Sequence, residues 1–419
     1  MQGAFYQANS IRCPLVIPAV LMAVGTLMAL ISTPAQARQP FAEFVQSLWP
    51  EARDRFGVSR TTFVRATKGL KPDLSIPDLE TSGRKRKVRQ AEFTRAPSDY
   101  LDKDYLARLA KTGRKLARTY ASQLDEIERR FGVDRAIVLA IFGRETAFGS
   151  YTPKHDAIRV LATQAWVGRR KELFREEFLH ALKLLEKGVP RKKKRASWAG
   201  AMGLTQFLPS EFFKHVHDFG GDGYADLFDS VPDALASAAR QLKNHGWIRG
   251  LDWGYEVVIP PAADCAMEGP VGERSYKDWI ELGFRRVANR PWPAELHSHN
   301  AYLMSPAGAH GPSFLVTDNF KAIREYNTSD LYATFIGNLA DRIRGGGNFV
   351  TPWRNVGRQR TATIRAVQQG LKDRGYPITI VDGFIGSNTR REAGQFQRAT
   401  GLPVDCWPSD RLVRKLRSG

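Results

Sequence analysis

One carboxylate stands out by its surroundings. In the run Ala136-Ile137-Val138-Leu139-Ala140-Ile141-Phe142-Gly143-Arg144-Glu145-Thr146, counting by four puts Ile137, Ile141 and Glu145 on one helical face. The acid therefore continues an apolar stripe. Burial disfavours its ionised form, and the negative end of the helix dipole acts in the same direction. A carboxyl kept protonated near neutral pH is what a general acid requires. A lone Glu at a helix end is more commonly an ion-pair partner, here for the adjoining Arg144. The neighbouring sequence has to decide between the two.

A second cluster suits a hard cation. Asp218-x-Gly220-x-Asp222-Gly223-Tyr224-x-Asp226-x-x-Asp229 has the spacing of an EF-hand loop. Asp218, Asp222, Asp226 and Asp229 fall on ligand positions, Gly223 on the turn position, and Tyr224 where a backbone carbonyl binds. Oxygen ligands at these offsets fit a structural Ca2+. Gly220 brings no side chain, and Asp229 replaces the usual bidentate Glu, so Asp233 is an alternative closing ligand. The same residues also fit an Asx/Gly turn capping the next helix.

The elements that hold these groups are mostly helical. Phe41, Phe44, Val45 and Leu48 form one stripe, and Ser59 opens a helix through Phe63. Leu106, Leu109, Leu116, Tyr120, Leu124 and Ile127 predict one long helix over Asp104–Arg130, and Val133-Asp134 opens the next over Arg135–Thr146. Residues 71–97 read as an extended loop with a basic cluster from Arg84 to Arg89. A strand is expected at Tyr255–Ile259 and an amphipathic helix over Ser329–Arg344. Gly345-Gly346-Gly347 and Pro352 mark a flexible linker. Alternating strand patterns are scarce, so the fold class is mainly α.

Length and charge bound what the whole can be. The chain has 419 residues and a net charge of +20. That length implies two or three domains, and the 42% hydrophobic content excludes a wholly disordered chain. The charge predicts an anionic partner. Arg12, an apolar run from Leu15 to Ile31 and Ala35-Gln36-Ala37 make the pattern of a cleaved signal peptide over residues 1–37. Its removal takes one Arg and no acid, leaving +19. Cys13 precedes the apolar run, so lipoprotein acylation is not expected. Export to the periplasm excludes nucleic acid and favours envelope polymers, with anionic envelope surfaces as peripheral contacts. Cys265 and Cys406 either pair there or remain free thiols. The run Arg191-Lys192-Lys193-Lys194-Arg195 is a solvated loop or a steering patch, as is Arg169-Arg170-Lys171.

Several blocks carry a resemblance. Arg144-Glu145-Thr146-Ala147-Phe148-Gly149, Ser197-Trp198-Ala199-Gly200-Ala201-Met202-Gly203, Leu204-Thr205-Gln206-Phe207-Leu208-Pro209-Ser210, Asp218–Gly223 and Asn244-His245-Gly246-Trp247 occur in one order. Together they resemble the lytic murein transglycosylases of the B family, across nearly all of residues 40–345. The resemblance implies a lysozyme-like multi-helix catalytic domain with Glu145 as its single acid/base. Glu145 would protonate the glycosidic oxygen of the β-1,4 bond between N-acetylmuramic acid and N-acetylglucosamine. With the substrate's 2-acetamido group assisting, it would then deprotonate the C6 hydroxyl and close a 1,6-anhydro ring. No cofactor is required for that chemistry.

By the same resemblance Ser197, Gln206 and Phe207 line the saccharide groove. Tyr326, Asn327 and Tyr332 match the family's cleft Tyr-Asn…Tyr set, and Tyr100 fits another cleft tyrosine. Gln241 departs from the pattern, standing where some members have tyrosine. Gly200-Ala201-Met202-Gly203 admits either close approach of backbone to sugar or tight packing. The segment from Ile364 through Asp382-Gly383 to Phe396-Gln397 resembles the small three-helix peptidoglycan-binding domain. The expected organisation is signal peptide 1–37, catalytic domain 38–344, linker 345–357 and wall-binding domain 358–419, acting as a monomer on peptidoglycan strands. The alternatives are a hydrolytic muramidase, with Asp156 as the one candidate second carboxylate, and a non-catalytic wall-binding protein.

Overall fold

The computed structural model describes residues 39–80, 95–193, 195–354, 356–357 and 359–418. The expected signal peptide, the Arg84–Arg89 cluster and Lys194 lie outside the described residues. No described helix is long and apolar enough to cross a membrane.

The helix Arg135–Thr146 is the centre of the molecule. Asp134 caps it, its carboxylate accepting from the amides of Ala136 and Ile137. The run Ala136–Gly143 is buried without interruption, so the helix is apolar all round rather than along the single stripe expected. The helices Lys103–Thr119, Val231–Asn244 and Asp330–Ile343 pack around it in one core. The helix expected over 104–130 is two helices, Lys103–Thr119 and Ala121–Phe131. It breaks at Tyr120, whose backbone leaves helical geometry (φ −109°, ψ 30°).

A second core joins the N-terminal helices Phe41–Ser47, Trp49–Phe56 and Arg60–Thr67 to the helices Ala157–Val167 and Lys171–Glu186. Ser59 caps the third of these as its sequence predicts, accepting from the Thr62 amide. A short hairpin over 195–207 belongs to this second core through Ala196, Met202 and Phe207.

The expected strand near Tyr255 runs Gly254–Val258 and belongs to a five-stranded antiparallel sheet. The spatial order is Arg274–Ser275, Asn300–Met304, Ser313–Val316, Gly254–Val258, Arg285–Arg286. Central pairings include Tyr255 with Leu315 and Leu303 with Leu315. The helix Asp318–Tyr326 leaves this sheet and delivers Tyr326 and Asn327 at its end.

Three helices, Thr361–Lys372, Ser387–Ala399 and Asp410–Ser418, close over a small core of Val367, Leu371, Phe396, Leu412 and Leu416. Cys265 and Cys406 form a disulfide that ties this module to the loop after the sheet's Gly254–Val258 strand. Beside it, Arg390 donates to buried Glu268 through Nε and Nη2 and reaches Asp330 Oδ2 at 3.2 Å. In the expected linker, Val350 and Thr351 amides donate to the Glu256 carboxylate at 2.8 and 2.7 Å, and Phe349 packs edge-on to Phe314.

Candidate active site

Glu145 lies in the last turn of the central helix and is partly exposed. The Tyr332 hydroxyl donates to its Oε1 at 2.6 Å. Tyr332 sits in the first turn of Asp330–Ile343, is 1% exposed, and is fixed by Ser329, which caps that helix. Burial raises the Tyr332 phenol well above its ordinary value, and the charge of Glu145 adds to this. Tyr332 therefore keeps its proton and acts as a hydrogen-bond donor. That bond holds the Glu145 carboxyl in one orientation.

Tyr326 stacks on Tyr332, with centroids 6.5 Å apart and planes within 10°, and donates to the Thr205 carbonyl at 2.6 Å. Its phenol is also pushed well up, by burial first and then by Glu145. Asn327 follows on an extended backbone, and its side-chain amide has no partner among the described residues. The two tyrosines thus form one wall beside the acid, and Asn327 follows Tyr326 in the chain.

The other wall comes from the hairpin of the second core. Met202 and Phe207 exchange two backbone hydrogen bonds of 2.8 Å, closing a turn over Gly203–Gln206. Gln206 sits in that turn at φ +55°, a strained conformation for a residue with a side chain, and its Nε2 donates to the Gly203 carbonyl at 2.8 Å. That contact uses the amide nitrogen and leaves Oε1 as an acceptor. Ser197 Oγ accepts from the amides of Ala199 and Ala201, which leaves its own proton to donate. Thr146 ties the walls together, its hydroxyl donating to the Leu204 carbonyl at 2.7 Å while accepting from the Gly149 amide. These bonds explain the spacing of Glu145-Thr146-x-x-Gly149. The chain must leave the helix through left-handed Ala147 (φ 47°) and Phe148 (φ 58°) to make them.

Two expected site residues stand elsewhere. Phe207 is 2% exposed, its ring packed between Phe212 and Tyr326, so it supports the tyrosine wall from behind instead of lining the groove. Tyr100 is also buried and accepts from Arg144 Nε and Nη2 at 3.2 and 2.9 Å. It holds Arg144, whose side chain also lies over the Phe335 ring. Burial works against the Arg144 charge, but the Tyr100 phenol and Glu145 outweigh it and keep the guanidinium firmly protonated. Arg144, named from the sequence as a partner for Glu145, gives these two hydrogen bonds to Tyr100. The glycine run serves packing: a Cβ on Gly200 would meet Leu161 at 2.3 Å, and one on Gly203 the Leu227 carbonyl at 2.8 Å.

Asp156 is committed elsewhere. It caps Ala157–Val167 through the Arg159 amide and pairs with Arg191 at 2.8 Å. Most of the basic run is likewise used internally: Arg195 donates to the Pro153 carbonyl, and Lys193 pairs with both Asp226 and Asp229 at 2.7 Å. The hydrogen bonds to Asp226 and then Asp229 push the Lys193 ammonium well up. Arg169 and Arg170 face Asp78, and Lys171 pairs with Glu80.

The oxygen-rich loop is folded around its own amides. Asp218 accepts from Gly221 and Gly223, Asp222 from Tyr224, and Asp226 from Phe228 and Asp229. Asp233 accepts from Phe219 and Asp226, one amide per oxygen, and so ties the loop's two ends together. Phe219, Asp222, Tyr224, Asp226, Asp229 and Asp233 line one cavity.

The chain is similar to known proteins along most of its length. Residues 40–341 match the model of the transglycosylase SLT domain, and residues 360–416 that of a putative peptidoglycan binding domain. The membrane-bound lytic murein transglycosylase B of Escherichia coli (strain K12) is 30% identical over 227 residues, 54% of this chain. The match spans 61% of that relative's length. The crystal structure of SltB3 from Pseudomonas aeruginosa, in complex with NAG-anhNAM-pentapeptide, is 37% identical with a TM-score of 0.82, over 90% of this chain and all of that one. Soluble lytic transglycosylase SltB1 from the same organism is 26% identical with a TM-score of 0.59, over 73% of this chain and 99% of that one. The SLT domain match covers most of the chain, and the chain belongs to the transglycosylase SLT domain family.

Proposed function

We propose that this chain is a lytic transglycosylase that cleaves the β-1,4 bond between N-acetylmuramic acid and N-acetylglucosamine in peptidoglycan and leaves a 1,6-anhydro end. The observation that carries the reading is the partly exposed Glu145 carboxyl, held in one orientation by the Tyr332 hydroxyl at 2.6 Å. Glu145 gives its proton to the glycosidic oxygen as the bond from C1 breaks. The 2-acetamido group covers the electron-poor C1, and the carboxylate then takes the proton of the C6 hydroxyl as that oxygen bonds C1. The acid is regenerated and no water is consumed. A hydrolase needs a second carboxylate or a positioned water, and the commitment of Asp156 to a helix cap and Arg191 supports the single-acid route.

Ser197, Gln206 and Asn327 offer one donor, one acceptor and one amide toward the groove, a set suited to acetamido groups. Tyr326 and Tyr332 stack behind the carboxyl, and Tyr332 holds it through its hydroxyl. Tyr332→Phe removes a hydrogen bond to a charged group, worth about 1.5–3 kcal/mol. It is expected to lower kcat roughly 10- to 100-fold with KM nearly unchanged, measured on a defined muropeptide substrate. An unchanged kcat would remove Tyr332 from the mechanism.

The three-helix module is the wall-binding element of the same enzyme, acting in the periplasm as a monomer. We also assign a structural Ca2+ to the loop of Asp218, Asp222, Tyr224, Asp226 and Asp229. The donors are hard oxygens, and the Asp218 oxygens keep lone pairs beyond their amide contacts. Lys193 supplies the competing positive charge. Lys193→Ala is therefore expected to tighten Ca2+ binding roughly tenfold or more, read by calorimetric titration. Equal affinity in both proteins would show that the loop takes no calcium at these carboxylates.

A further inference from the structure

A second cluster of metal-ligating side chains lies outside the acid and outside the oxygen-rich loop. Glu211 and His215 stand one turn apart on the helix Pro209–His215, and His245 follows the last residue of Val231–Asn244. One donor atom from each lies within 4.8 Å of the other two. His215 is 5% exposed, and its Nε2 lies 2.9 Å from Glu211 Oε2. Its ring meets that of His245 edge-on, with centroids 5.4 Å apart.

Two further observations point to a missing ligand at this place. Gln241 is 5% exposed, its Nε2 lies 3.4 Å from Glu211 Oε2, and its Oε1 is buried without a partner. His245 Nδ1 is likewise buried without a partner. Buried polar atoms left unpaired are uncommon and costly, and two on residues beside one carboxylate call for a common explanation.

We propose that Glu211, His215 and His245 bind a late first-row divalent cation of the Zn2+ class. Two imidazoles and one carboxylate are the ligand set such ions prefer over calcium or magnesium. At metal–ligand distances of about 2.0–2.1 Å, tetrahedral donors stand roughly 3.3 Å apart. The three donors therefore need to close by only about 1.5 Å. Asn244 Nδ2 donates to His215 Nδ1 at 3.0 Å, which leaves the proton on Nε2, facing Glu211. On metal binding that proton moves to Nδ1 and the Asn244 amide turns its oxygen to accept it, the usual arrangement behind a ligating histidine. Lys214, 3.0 Å from Glu211 on an exposed side chain, is the cation displaced. A water on the ion's fourth position supplies the donor that Gln241 Oε1 lacks.

The ion joins the end of Pro209–His215 to the far end of Val231–Asn244, about 20 Å along that helix from where the loop over 216–230 ends, so its effect is to pin the two helices to each other. It takes no part in the bond cleavage assigned to Glu145, and its test does not depend on that assignment. The full chain, stripped with EDTA and then saturated with Ca2+, is titrated with Zn2+ by calorimetry and with Co2+ by visible absorption. The expected result is one ion per chain, tetrahedral-type Co2+ bands and a higher Tm. His245→Gln and Glu211→Gln are each expected to weaken binding at least roughly tenfold. Glu211→Gln keeps an acceptor for His215, so it reports ligation even if His245→Gln alters folding. No Zn2+ uptake at about 100 µM, or uptake unchanged in Glu211→Gln, would overturn the site.

Discussion

Glu145→Gln is expected to lower turnover on isolated sacculi about 10³- to 10⁴-fold, the upper range for loss of general acid–base catalysis. The large effect follows from one group acting twice, first as the acid at the glycosidic oxygen and then as the base at the C6 hydroxyl. Gln keeps an oxygen at the place where the Tyr332 hydroxyl donates. Fold and groove should therefore survive, with Tm close to that of the parent and sacculus binding retained. Asp156→Asn gives the contrast. Its carboxylate caps a helix and pairs with a partly exposed Arg191, so its loss should cost about 1 kcal/mol of stability or less and leave turnover near normal. If Asp156→Asn abolished activity as Glu145→Gln does, two carboxylates would be at work and the hydrolytic route would replace the one proposed.

The second large effect lies far from the acid in sequence. Glu268→Ala leaves the Arg390 guanidinium buried with only Asp330 and the Ile385 carbonyl to meet it. Glu268 and Arg390 have side-chain exposures of 0% and 2%, so water cannot replace the lost partner. Removing one member of such a pair costs about 3–5 kcal/mol. Replacing both, as Glu268→Leu with Arg390→Met, should recover most of that loss, because no unpaired charge then remains. Denaturant unfolding with the Cys265–Cys406 disulfide intact measures both variants. The single substitution should also slow turnover below its Tm. Arg390 reaches Asp330, two residues before Tyr332 on the same helix, so the C-terminal module helps set where the Tyr332 hydroxyl meets Glu145. A stability loss for Glu268→Ala near that of an exposed pair would mean the network is not the anchor described.

What could be read from the residues was the acid, its helix and its caps. Asp134, Ser59 and Ser329 announce their helices because a side-chain oxygen before an apolar run has one obvious use. Glu145 was legible through the motif around it, more than through its stripe, since the central helix turned out apolar on every side. The five-stranded sheet was mostly hidden. Its strands run only two to five residues, and Ser313–Val316 is buried throughout, so no alternation betrays it. The break at Tyr120 carries no Gly or Pro to mark it. The bond from Arg144 to Tyr100 spans 44 residues and the disulfide 141, and pattern within a segment says nothing of either. Phe207 sits in a motif expected to line the groove, yet its place in the hairpin buries it.

The most direct test of the proposed chemistry is the mass of the products. Sacculi digested with the full chain, followed by mass spectrometry of the released muropeptides, distinguish the routes by one water. The mechanism at Glu145 predicts 1,6-anhydro-muramyl ends, each lighter by one water than a reducing end, and none from Glu145→Gln. Release of reducing-end muropeptides by the parent chain would contradict it.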